Sequence, residues 1–137
     1  MSLSLNVQVK RGISGLGLFA TTTFKRGDFI IEYIGELIDQ DEADRRGGKY
    51  LFTITTDRII DGKQRNNVAR YINHSCSPNA FAEADLEELK IRIYAKKRID
   101  PGEEIFFHYG KEYFNEFLGA DCRCPYCRLP STKNMGR

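Results

Sequence analysis

The sequence predicts a mostly β fold with short helices, on three observations. Leu89-Lys90-Ile91-Arg92-Ile93-Tyr94-Ala95 alternates apolar and outward-facing side chains with the period of two that a half-buried strand requires. Tyr50–Thr55 and Arg58–Asp61 form two short strand-like runs joined by a Thr56-Asp57 corner, the pattern of a hairpin. Helix signals are few and short. With 137 residues, the chain is expected to be one domain with a modest core.

Taken in order, Leu5–Val9 alternates apolar and polar residues as a first strand, and Gly15-Leu16-Gly17 reads as a turn. Phe29–Ile34 is a mostly apolar run of aromatic and branched residues, hence a strand. Asp39-x-x-Glu42 is a capping pair that opens a short helix through Arg46, which Gly47-Gly48 ends. After the hairpin, Asn67–Asn73 predicts one or two helical turns. In the strand Leu89–Ala95, Leu89, Ile91, Ile93 and Ala95 face the core while Lys90, Arg92 and Tyr94 face outward. A further strand starts at Glu104, with Phe107 and Tyr109 on one face and Phe106 and His108 on the other. Lys111–Leu118 reads as a helix stopped by Gly119, and Leu129–Arg137 carries no structure signal. There is no internal repeat.

Composition narrows the function. A net charge of +2, without a dense basic face, argues against nucleic-acid binding. The runs Lys96-Lys97-Arg98 and Glu83–Glu88 read as solvated edges. No stretch approaches the roughly 20 apolar residues that span a bilayer, and Lys10-Arg11 interrupts any secretory signal. Three of the four cysteines, Cys122, Cys124 and Cys127, lie within six residues, far from Cys76. Two intramolecular disulfides would force one bridge inside that C-x-C-x-x-C cluster, a cramped geometry. Four thiolates around one structural Zn2+ need no such strain, with disulfides or free thiols as the alternatives. Zinc favours a reducing compartment, nucleus or cytoplasm, with a secreted effector as the alternative.

Arg-Tyr-Ile-Asn-His-Ser-Cys-Ser-Pro-Asn-Ala at residues 70–80 and Gly-Glu-Glu-Ile-Phe-Phe-His-Tyr-Gly at residues 102–110 resemble the two signature motifs of the SET domain. That family comprises S-adenosylmethionine-dependent protein-lysine methyltransferases. The resemblance runs from the Gly-Leu-Gly at 15–17 to the cysteine cluster. It implies small sheets around a C-terminal pseudoknot, with a SET domain over 5–118 and a post-SET-like zinc-binding tail over 119–137. The pseudoknot explains how Cys76 can join Cys122, Cys124 and Cys127 at one metal. Methyl transfer to an amine needs donor and acceptor aligned about 3 Å apart, water excluded and the lysine neutral. Desolvation and the sulfonium charge both lower the lysine pKa, so the site needs a narrow aromatic channel.

By resemblance, Tyr109 is the catalytic tyrosine, Phe107 limits how many methyl groups fit, and Tyr33 is the second channel tyrosine. For each, the bland alternative is ordinary aromatic packing in a strand. The backbone around Ser14, Gly15, Leu16 and Gly17 corresponds to the cradle for the methionine end of the cofactor. The two glycines allow close backbone approach. Asn73 through its side chain and His74 largely through its backbone match the pair that grips the cofactor, and Tyr50 matches an aromatic position beside it. His108 departs from the family's usual Asp and is expected to point away from the channel. The function implied is lysine N-methylation able to reach di- or trimethyllysine, releasing S-adenosylhomocysteine. The partner is a protein or peptide lysine, a histone tail among the candidates, with no direct nucleic acid and no membrane. A monomer is favoured. The rival function is a catalytically silent SET module that binds peptide or a partner protein and uses zinc only for rigidity. With little sequence ahead of its first strand, any accessory N-terminal domain is expected to be absent or removed.

Overall fold

Short strands cannot each bury a face alone; among the described residues they form four small sheets around a main core and a smaller cluster of Ile38, Ala43 and Ile59. The computed structural model describes residues 6–12 and 15–108. The expectations for Leu5, Ser14, Tyr109, the helix at 111–118, the cluster Cys122, Cys124 and Cys127, and the 119–137 tail lie outside the described residues, as does the threading of a pseudoknot.

Strands β1 (Val7–Gly12) and β2 (Gly15–Ala20) pair antiparallel, with Gly12 opposite Gly15. The Gly-Leu-Gly run is therefore strand rather than turn. Gly17 sits inside β2 across from Lys10. The first strand also begins later than the alternation at Leu5–Val9 predicts. Strand β3 (Phe29–Tyr33) ends one residue earlier than its apolar run, and β4 (Glu36–Ile38) follows.

Helix α1 (Gln40–Arg46) has the predicted bounds. The Asp39 carboxylate accepts the Glu42 backbone N–H at 2.8 Å, and the Gly47 N–H donates to the Ala43 carbonyl. Glu42 does not complete a reciprocal capping box. Its carboxylate holds Arg46 at 2.6 Å and Arg45 beside it.

Strands β5 (Leu51–Thr55) and β6 (Arg58–Asp61) form the predicted hairpin, with β6 central in the sheet β4-β6-β5. Tyr50 stands just before β5. A 3-10 turn covers Val68–Tyr71, within the predicted helical segment.

Strands β8 (Ala80–Asp85) and β9 (Lys90–Ala95) build the sheet β3-β9-β8. Ile91, Ile93 and Ala95 are fully buried, as the alternation requires, while Leu89 adopts a positive φ of 57° in the preceding turn. The acidic run is only in part a solvated edge. Glu83 and Asp85 belong to β8, and Asp85 and Glu88 bind Arg92 at 3.0 and 2.6 Å. The two-residue strands β7 (Asn73–His74) and β10 (Phe106–Phe107) pair in parallel, Asn73 with Phe106 and His74 with Phe107. The main core joins Leu18, Ile31, Tyr33, Ile72, Ile91, Ile93, Ile105 and Phe107.

Candidate active site

The parallel pair β7–β10 juxtaposes two polar–aromatic motifs more than 30 residues apart. The Ser75 N–H extends the pairing by donating to the Phe107 carbonyl at 3.1 Å. Asn79 clamps the same segment, donating to the Glu104 carbonyl at 2.9 Å and accepting from the Phe106 N–H at 2.8 Å.

On the buried side of β10, Phe107 meets Phe52 with ring centroids 6.2 Å apart, and Phe52 meets Tyr33 at 5.1 Å. Tyr33 and Phe107 are each 5% exposed. The Tyr33 hydroxyl donates to the Tyr50 carbonyl at 2.7 Å, which fixes its ring. These contacts join Tyr33 to Phe107 through Phe52, and Tyr33 directly to the Tyr50 backbone. Sequence reasoning passed over Phe52, although it stands in the run Lys49-Tyr50-Leu51-Phe52 that supplied Tyr50.

A polar group forms at the other side of β7. The Asn73 amide donates to the Leu16 carbonyl at 2.9 Å and to Glu104 Oε2 at 3.0 Å. Glu104 fills the space that Gly17 leaves: a Cβ at Gly17 would overlap its carboxylate. The close approach that this glycine permits is thus to Glu104, a second residue not singled out from sequence. Burial pushes the Glu104 carboxyl pKa up, and the hydrogen bond from Asn73 partly offsets this. Gly15 opens β2 beside Gly12 and, with Leu16, carries the backbone toward Asn73.

Arg70 was also missed. Its guanidinium lies over the Tyr50 ring at 4.7 Å and the Tyr71 ring at 5.1 Å, and it donates to the Lys63 carbonyl. Its Nε is buried and has no hydrogen-bond partner among the described residues. A rigid, partly unsatisfied guanidinium suits a carboxylate-bearing ligand.

The His74 ring turns to a third cluster. Its Nε2 lies 3.4 Å from Cys76 Sγ, and its centroid is 4.5 Å from that of His108 in an edge-on arrangement. Burial, and secondarily the charge of His108, lower the His74 pKa to about 4, so the imidazole is neutral at neutral pH. His108 is exposed, whereas its neighbour Phe107 is buried.

A protein-family model described as the SET domain matches residues 15–110, most of the chain. The chain is 42% identical over 123 residues to histone-lysine N-methyltransferase set1 of Dictyostelium discoideum, covering 82% of this chain and 8% of that protein. It is 41% identical over 127 residues to the H3 lysine-4 specific histone-lysine N-methyltransferase of Schizosaccharomyces pombe, covering 85% and 14%. Histone-lysine N-methyltransferase TRX1 of Oryza sativa subsp. japonica is 36% identical over 139 residues, covering 92% and 13%. An apo ctPRC2 structure carrying mutations in Ezh2 matches with a TM-score of 0.68 and 36% identity, over 76% of this chain and 15% of that one. The fold and paired motifs define a SET-type domain. The chain belongs to the SET domain family. It spans only 8–14% of the length of these curated relatives.

Two groups implied by the family can be tested against the residues present. The orphaned Nε of Arg70, close to Tyr50, fits the carboxylate end of S-adenosylmethionine. The thiol of Cys76 beside neutral imidazole fits zinc, which prefers sulfur and nitrogen donors. Among the described residues no helix is long and apolar enough to cross a membrane.

If Asn73 holds the cofactor, Asn73→Ala should weaken cofactor binding by about 1–3 kcal/mol, the cost of a lost buried polar partner. Calorimetric titration with S-adenosylhomocysteine measures this. An unchanged affinity would remove Asn73 from the binding set.

Proposed function

We propose that this SET domain is an S-adenosylmethionine-dependent protein-lysine N-methyltransferase. The observation that carries the reading is the parallel β7–β10 pair, which sets Asn73 and its polar partners against a strand whose other side is the buried Tyr33–Phe52–Phe107 cluster. S-adenosylmethionine, when bound, supplies an electrophilic methyl group. Ser14, Gly15, Leu16 and Gly17 offer backbone to its methionine end, with Asn73 and the His74 backbone alongside. Arg70 pairs with its carboxylate, and Tyr50 lies against it. Tyr33 and Phe107 desolvate the lysine and favour its neutral amine. The Tyr109 hydroxyl orients that amine.

Residues 5–118 form the catalytic domain, and 119–137 a tail docked by a structural zinc on Cys76, Cys122, Cys124 and Cys127. The relatives' names make a histone tail the first substrate to try, and with it a nuclear location. The functional unit is a monomer. Incubating the chain with labelled cofactor and arrays of histone peptides should transfer label to lysine. No transfer to any peptide or protein, with cofactor bound, would favour a silent binding module.

Phe107 sets the product. Phenylalanine leaves the channel end open and apolar, so the wild type should reach di- or trimethyllysine. Phe107→Tyr adds a hydroxyl that holds water or the amine, and should shift the mixture toward monomethyllysine with modest loss in the first step. Time-course mass spectra measure both. A wild type that stops at one methyl group would remove Phe107 from the channel.

A further inference from the structure

The four-cysteine reading uses Cys76 alone from the folded domain, yet two imidazoles already stand at its sulfur. His74, Cys76 and His108 each offer one ligand atom, and the three atoms lie within 4.8 Å of one another. His74 Nε2 and Cys76 Sγ, 3.4 Å apart, are at the spacing of two ligands on one tetrahedral zinc, about 3.5 Å for bonds near 2.0 and 2.3 Å. The β7–β10 register creates this meeting. It puts His74 opposite Phe107, so that His108, the next residue, arrives beside it.

We propose that His74, Cys76 and His108 form a mixed-donor site for a zinc-class divalent ion that needs none of the C-terminal cysteines. The set provides two nitrogens and one sulfur, a donor combination suited to zinc, and leaves one tetrahedral position for a water or a tail thiolate. Burial of His74 holds one ligand in place, while exposed His108 gives the ion a path in from solvent. Because both sets use Cys76, the domain set and the four-cysteine set are alternative arrangements around one sulfur. The domain set is the one that forms without the tail. This inference does not depend on methyl transfer.

The test uses the full chain with Cys122, Cys124 and Cys127 all changed to Ser, loaded with Co2+ as a spectroscopic stand-in. One equivalent should bind, with a visible spectrum of mixed nitrogen and sulfur ligation and the charge-transfer intensity of one thiolate. Adding His108→Ala should weaken Co2+ binding by more than about 100-fold, beyond the roughly 10–100-fold of an outer-shell change. If the alanine variant fails to melt cooperatively, His108→Gln gives the same reading. Absence of Co2+ binding by the triple variant, or affinity indifferent to His108, would overturn the site. Labelled methyl transfer, run in parallel on the wild type, reports on the catalytic proposal alone. Activity without Co2+ binding by the triple variant rejects only this inference.

Discussion

Tyr109→Phe is expected to lower methyl transfer by about 10²–10³-fold, the usual cost of losing one preorganised hydroxyl or amide donor at a reacting centre. The change deletes a single oxygen and leaves the ring. Tyr109 lies outside the described residues, two positions after Phe107, which β10 presents to Phe52 and Tyr33; the catalytic proposal puts its phenol at the same channel. On the proposed mechanism, a phenol there would orient the amine lone pair toward the methyl group. Its loss should act on the transition state rather than on binding, so kcat and kcat/KM should fall together. Cofactor affinity and melting temperature should stay near wild type. Single-turnover rates with a reactive peptide measure the effect. Wild-type turnover in the variant would move the catalytic role to another residue, Tyr33 being the first to try.

How far the sequence reveals this molecule depends on the range of the forces involved. The Asp39 cap, helix α1 and the β5–β6 hairpin are local, and the residues that make them lie within a few positions of one another. β9 was legible because Ile91 and Ile93 alternate cleanly with charged neighbours. β2 was read as a turn because two glycines obscure a strand whose buried positions include Gly17 itself. β8 was missed because its alternation is carried by alanines, which have weak strand preference. The site divides in the same way. Asn73, His74, Tyr33 and Phe107 came from motif resemblance; the folded chain sets Asn73 and His74 beside Phe106 and Phe107 through a parallel pairing that no local pattern encodes, and links Tyr33 to Phe107 through Phe52. Glu104, Phe52 and the meeting of His108 with His74 depend on that pairing or on core packing.

Gly62→Ala should damage the fold and, if Tyr33 lines the proposed lysine channel, that channel as well, because this glycine packs against both Tyr33 and Asn67. A Cβ at Gly62 would stand 2.5 Å from Tyr33 Cε1 and 2.7 Å from its Cζ, and would also overlap the Asn67 amide. None of these neighbours can easily retreat. Tyr33 is packed against Phe52, and its hydroxyl is held by the Tyr50 carbonyl, which also accepts the Gly62 N–H at 2.9 Å. Asn67 is fully buried. It donates to the Gly62 carbonyl at 2.9 Å and accepts from the Ile34 N–H at 3.1 Å, so it ties the end of β6 to the end of β3. Overpacking costs about 1–3 kcal/mol, and a broken buried hydrogen bond adds about 1–3 kcal/mol. A loss of about 3 kcal/mol or more is therefore expected, lowering the melting temperature by about 10 °C. Below that temperature the displaced Tyr33 ring should slow methyl transfer. Cofactor affinity, which the proposal assigns largely to Asn73 and the β2 backbone, should change much less. Thermal melts, cofactor titration and peptide turnover on one preparation separate these effects. A wild-type melting temperature would show that Tyr33 and Asn67 yield to the added methyl. Wild-type turnover in a destabilised variant would detach Tyr33 from the lysine channel.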